Sequence, residues 1–243
     1  GRVEYLIRLH VKPTVSRTNT MKKLCQALMI GGAAAMALPA LQAQETEELQ
    51  IDYPKPVFIG TKIKVKLKNL EPPGYKPPKI MVPKGTANVA LGKPVTSSDP
   101  LPIIGDLDLV NDDDTDPNDG SFVELGPGVQ WVQIDLEAVH DIYGIALWHF
   151  HKQARAYKDV VIQVSDDAEF LEGVKTIFNN DDDNSAEKGV GKDKAYVESN
   201  LGRLIKTDKG LKGRYVRLYS NGNTSNEMNH YVEVAVYGKP AGS

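Results

Sequence analysis

Between Asn88 and Gly238 apolar side chains recur at every second position, in short runs broken by turn residues, and seldom at helical spacing. QWVQIDL (130–136) sets Val132, Ile134 and Leu136 against Trp131, Gln133 and Asp135. DVVIQVSDD (159–167) puts Val160, Ile162 and Val164 on one side and ends in an Asp-rich turn. RYVRLYS (214–220) and YVEVAVYG (231–238) repeat the pattern with Val216 and Leu218, and with Val232, Val234 and Val236. DIYGIALWHF (141–150) is mixed and largely apolar, as a central strand is when both its faces are covered. A side-chain period of two with no intervening helices predicts an all-β, antiparallel β-sandwich over residues 88–239. No internal repeat appears, nor any glycine-rich phosphate loop opening a helix.

The ends of the chain read differently. Residues 1–43 carry Arg2, Arg8, Lys12, Arg17, Lys22 and Lys23 against Glu4 alone, a net charge of +5, so the chain's −3 leaves −8 for residues 44–243. A body that acidic argues against nucleic acid, whose phosphates need a basic surface. From Met21 two lysines precede an apolar run, Leu24–Leu38, then Pro39 and a small-residue exit. This is the layout of a secretory signal peptide over 21–43, cleaved after Ala43, with residues 1–20 an over-extended start. The apolar run is too short and too rich in small residues for a membrane anchor. Cys25 falls inside the signal, in the wrong context for acylation, so the exported chain is cysteine-free and relies on its core, or on its core and a metal, for stability. A secreted, periplasmic or cell-surface location follows.

Residues 44–87 contain Pro54, Pro56, Pro72, Pro73, Pro77, Pro78 and Pro83 and one short alternating run, TKIKVKLKNL (61–70). They read as a Pro/Lys-rich spacer with one edge strand, or as a floppy tail.

Taken in order, NVALGKPVTSS (88–98), WVQIDL (131–136), VIQVSDDAEF (161–170), RYVRLYS (214–220) and EVAVYG (233–238) resemble the discoidin domain, the coagulation factor V/VIII type C family. The resemblance covers about 88–238 and implies a galactose-binding-like jelly roll, here of a bacterial secreted kind and without the family's usual cysteine pair. It implies binding rather than catalysis, through loops at one end of the sandwich. The ligand it suggests is a glycan or cell-surface polysaccharide; the alternative is a protein–protein or envelope-attachment module in which the same loops meet another envelope protein. No nucleophile elbow or metal-hydrolase signature argues for an enzyme.

Two site expectations follow. GDLDLVNDDDTDPNDG (105–120) holds seven aspartates, Asp106, Asp108, Asp112, Asp113, Asp114, Asp116 and Asp119, whose mutual repulsion leaves either a solvated loop or a cation site. The helix–loop–helix calcium template fails, because Pro117 and Val123 occupy its glycine and glutamate positions. The resemblance instead implies a structural calcium held by Asp112 and Asp114 and closed by Glu233, with Asp113 where the family usually has glycine. It also implies sugar contacts from His151 and Arg155, with Tyr157 as aromatic and Asn226, Asn229 or His230 from a neighbouring loop. Trp148 and Phe150 read as core; His149 and His151 share a strand face, where they are surface residues or two zinc ligands lacking a third. NNDDDN (179–184) reads as an exposed loop with Asn/Asp turn chemistry.

Overall fold

The computed structural model describes residues 45–57, 64–208 and 210–242. The expected start extension and signal peptide lie outside the described residues. Among those described, the strands are β1 (Thr46–Glu48), β2 (Met81–Pro83), β3 (Ala87–Asn88), β4 (Val95–Ser97), β5 (Val123–Leu125) and β6 (Val129–Trp148). They continue with β7 (Val161–Ser165), β8 (Lys175–Asn179), β9 (Arg203–Lys206), β10 (Lys212–Asn221), β11 (Asn229–Tyr231) and β12 (Glu233–Pro240). One 3₁₀ turn, Leu107–Val110, precedes the acidic loop.

The runs 130–136 and 141–150 are not two strands but one, β6, twenty residues long. Glu137 sits in the left-handed region at φ 64, its N–H donated to Asp135 Oδ1, and the strand turns there from one layer into the other. Before the bend β6 pairs with β10 and β4; after it, with β12, β9 and the first two residues of β10. β10 carries the matching register shift between Gly213 and Tyr215. A Cβ on Gly213 would stand 2.1 Å from Val164 Cγ1, so only glycine permits that approach.

Register explains the core. Ile134, Val216 and Val164 lie side by side across β6, β10 and β7, and Val132, Leu218 and Ile162 form the next row. After the bend Ile145 faces Val236 and Leu147 faces Val234. All ten are essentially inaccessible and join one cluster with Val110, Val123, Leu125 and Tyr231. The architecture is the expected antiparallel β-sandwich.

The other face of the second half of β6 is not open to water. Ala146, Trp148, Val232, Ala235 and Leu204 pack there against Ile80, Val82, Leu49, Ile51 and Tyr53. The described parts of 45–84 are therefore a strap lying on the sandwich, and the expectation of a free spacer is overturned. β1 and β2 pair antiparallel. Asn69 Nδ2 donates to the Asn180 carbonyl at 2.6 Å and Glu71 N to the Ala195 carbonyl at 2.8 Å. Arg203 stacks between Tyr75 and Tyr196, 4.4 and 4.2 Å from their ring centres, and reaches Glu71 Oε2 at 2.6 Å. The edge strand expected at 61–70 is missing from its described part: Lys64–Asn69 is irregular, and Leu70 makes a single parallel bridge to Ala195. Burial of isolated apolar side chains outweighs proline-rich local preference here.

Candidate functional site

The acidic loop and the last strand meet through Asp113 and Glu233. Asp112 Oδ1 accepts the Asp114 N–H at 3.0 Å, and Asp114 Oδ1 accepts that of Asp116 at 2.9 Å. These two Asx turns wind the chain tightly. Asp113 takes φ 70, the left-handed conformation a glycine would fill. Its N–H donates to Glu233 Oε2 at 3.0 Å, which ties the loop to β12 across 120 residues. Glu233 is 1% exposed and its Oε1 has no partner. Burial, followed by the neighbouring Asp112 and Asp113 charges, pushes its carboxyl up to about 8. A hard divalent cation would relieve that unpaired oxygen, and the donors are all oxygen. The side chains are gathered but not yet focused: the carboxylate trio found with ligand atoms within 4.8 Å of one another, among the described residues, is Asp159, Asp181 and Asp183. That second cluster departs from the expected exposed loop. Asp181 is fully buried and accepts the N–H groups of Asp183, Ser185 and Ala186, so its oxygens are occupied by the turn.

The residues expected to face a sugar lie deeper than expected. His151, Arg155, Tyr157 and Asn229 are 2%, 5%, 1% and 0% exposed. Asn229 is a structural hub: its Nδ2 donates to the Gly126 and Gly128 carbonyls, while Oδ1 accepts from Ser220 Oγ and Gly222 N. Every hydrogen-bonding site of its side chain is used within the fold. Asn226 is exposed, but its Oδ1 accepts from Asn223 Nδ2 and Met228 N, closing its own turn.

Tyr157 is also withdrawn. Its ring stacks on His149 with centres 4.1 Å apart, and its hydroxyl meets His230 Nδ1 at 2.8 Å. His230 Nε2 meets Glu124 Oε2 at 2.9 Å. That contact has ion-pair distance, but burial lowers His230 to about 3, assisted by Arg155 and His149, and burial raises Glu124. A neutral imidazole accepting from Tyr157 and donating to Glu124 satisfies both contacts. His149 Nδ1 contacts Glu198 Oε1 at 2.8 Å, and neither side chain is exposed. His151 Nε2 donates to the Thr115 carbonyl at 2.9 Å, and burial lowers its pKa despite that bond. With those nitrogens engaged, the zinc alternative has no converging third ligand among the described residues. Arg155 lies over Phe150 at 4.5 Å and donates to Gln153 Oε1 at 3.2 Å.

Four atoms of this buried group have no partner: His149 Nε2, His151 Nδ1, Arg155 Nε and Glu198 Oε2. Glu198 and Glu124 were not found by sequence reasoning; neither belongs to a spaced motif, and their partners lie 49 and 106 residues away. Glu198 also lines a groove between the strap and residues 197–201, walled by Val65, Leu70, Pro72, Pro73 and Leu201.

The fold is an antiparallel β-sandwich whose acidic loop is tied by a hydrogen bond to a buried glutamate on its last strand. The F5/8 type C domain model matches residues 109–234, more than half of the 243-residue chain, and the chain belongs to that family. No curated protein matches the chain. Among solved structures it is similar to a family 89 glycoside hydrolase from Clostridium perfringens in complex with 2-acetamido-1,2-dideoxynojirmycin (19% identity, TM-score 0.48, 64% of this chain), of whose length it spans only 15%. It is also similar to the CBM32 of AlyQ in complex with 4,5-unsaturated mannuronic acid (17% identity, TM-score 0.41, 59% of this chain and 92% of that one). A third is a fucolectin from striped bass, Morone saxatilis, serum (16% identity, TM-score 0.46, 65% and 52%). At this level the likeness describes the general fold and nothing finer.

Proposed function

We propose that the protein is a non-catalytic, exported carbohydrate-binding module of the F5/8 type C family, its acidic loop stabilised by calcium. The observation that supports the sugar reading is the group of unpartnered atoms around the 149–157 loop. His149 Nε2, His151 Nδ1, Arg155 Nε and Glu198 Oε2 include both donors and acceptors, and all four are shielded from solvent, so a ligand reaches them only by displacing part of the covering loop. Buried polar atoms are normally paired, and unpaired ones mark strain or a missing partner. A hydroxyl donates and accepts at once, so a polyhydroxylated ligand suits a mixed set where a simple anion or cation does not. His151 and Arg155 remain the residues of the original expectation in this role. Tyr157 and Asn229 support the loop from within, and Asn226 shapes its neighbour.

Calcium would be held by Glu233 with Asp112 and Asp114. The unpaired, buried Glu233 Oε1 supports this reading, since a cation replaces the proton that burial otherwise favours. The reading is tested by binding to a glycan array with and without chelator. Sugar signals that weaken in chelator support it; no signal at millimolar ligand sinks it. A second reading, attachment to another envelope protein, is favoured by the loop Leu101, Ile103 and Ile104, which are 82%, 55% and 40% exposed beside Val129 at 37%. Retention of binding to intact cells stripped of polysaccharide would favour that reading.

A further inference from the structure

The groove between the strap and residues 197–201 lies outside what the family supplies, because one of its walls, Lys64–Tyr75, precedes the matched residues 109–234. Its volume of about 760 Å³ falls within the range of ligand clefts. Two features give it a chemistry. Val65, Leu70, Pro72, Pro73, Val197 and Leu201 make it chiefly apolar. Lys64 and Lys66 stand exposed at its rim. Neighbouring Lys68 pairs with Asp182 at 3.2 Å, whereas Lys64 and Lys66 make no ion pair with the described residues.

Apolar walls match the C–H face of a pyranose. Two unpaired ammonium groups in a body of net charge −8 are a local reversal of sign, and such reversals select anionic partners. We infer that this groove seats one residue of an anionic polysaccharide, with the sugar's apolar face on those walls and its carboxylate or sulfate paired with Lys64 and Lys66. The inference rests on the glycan reading above and narrows it to acidic sugars. Latching of the strap by Arg203, Tyr75 and Asn69 makes the groove a permanent part of the domain rather than a transient gap.

The test is isothermal titration of the full chain with oligouronates, sulfated oligosaccharides and neutral oligosaccharides of equal length, at low and at raised salt. Tighter binding of either acidic class, weakened by salt, is expected, and the two acidic arms distinguish carboxylate from sulfate. Double replacement Lys64→Glu/Lys66→Glu should weaken binding by about tenfold, from two surface charge pairs. Val197→Trp, at a position 40% exposed, should block the groove without disturbing the core. Equal affinity for neutral sugars, or unchanged affinity in both the lysine double variant and Val197→Trp, overturns the inference while leaving the glycan reading intact. If none of the three classes binds, both fall.

Discussion

Replacing Arg203 by alanine is the sharpest way to ask whether the strap belongs to the fold. Arg203 is 9% exposed, and its guanidinium lies between the rings of Tyr75 and Tyr196 while pairing with Glu71 at 2.6 Å. Breaking a buried ion pair costs about 3–5 kcal/mol when one charge is left unpaired. The Glu71 side chain is 21% exposed, so water recovers part of that, and about 2 kcal/mol is the better figure. Each cation–π contact adds about 0.5–1 kcal/mol. Arg203→Ala should therefore lose about 3–4 kcal/mol, lowering Tm by roughly 10 °C for a unit of this size. The loss should be local in origin. Lys66 and Lys79 are exposed, so trypsin should cut the strap of the variant well before the sandwich, whereas the parent resists. A Glu71→Gln partner in a double-mutant cycle should recover a coupling of about 1 kcal/mol or more. A Tm within about 2 °C of the parent, with unchanged proteolysis, would refute the view that Arg203 fastens the strap.

Other outcomes follow from the same contacts. Asn229→Ala strips four hydrogen bonds from buried groups and should cost about 3 kcal/mol by chemical denaturation, while exposed Asn226→Ala should cost about 0.5 kcal/mol or less. Near-equal losses would return Asn229 to the surface role first expected of it. Calcium at a hundredfold excess over its Kd should raise stability by about 2.7 kcal/mol in the parent and not at all in Glu233→Gln, and an unchanged response in that variant removes Glu233 from the site. His230 is held near 3 against an ordinary 6.5. The unfolded chain thus binds the proton first, and stability present above about pH 6.5 drains away as pH falls toward 3. The slope from His230 alone approaches 1.4 kcal/mol per pH unit, and His230→Gln should flatten it in denaturation midpoints taken at pH 7 and pH 4.5.

The strands were legible because a half-buried strand writes its period into the sequence, as Val132, Ile134 and Leu136 do. Less legible was how strands share layers. The break between QWVQIDL and DIYGIALWHF is a turn of one strand at Glu137, and no residue there advertises it, since glutamate is a poor candidate for φ 64. The strap was hidden for a related reason. Ile80, Val82, Leu49, Ile51 and Tyr53 are scattered among prolines and lysines, and singly none demands burial. The hint lay in their partner: the stretch from Ala146 to Trp148 is apolar on both faces, which requires a second covering layer from somewhere in the chain.

The site divides along the same line. Asp112, Asp114 and Glu233 were brought together in the sequence only by the family resemblance; what the loop itself supplies is local, since its Asx turns and the left-handed Asp113 need only neighbours in sequence. His151, Arg155 and Tyr157 could be named but not given a depth. Their exposure is decided by Glu198, Glu124 and Thr115, brought from distant segments, and by the strap outside the matched region. Whether a histidine three residues past the end of a strand faces solvent is a property of what covers that end. Here residues from distant segments do so, Glu198 against His149 and Thr115 against His151. On the groove reading proposed above, Lys64, Lys66 and Val197, which lie outside any family motif, are where sequence variation would be expected to set which sugar is held.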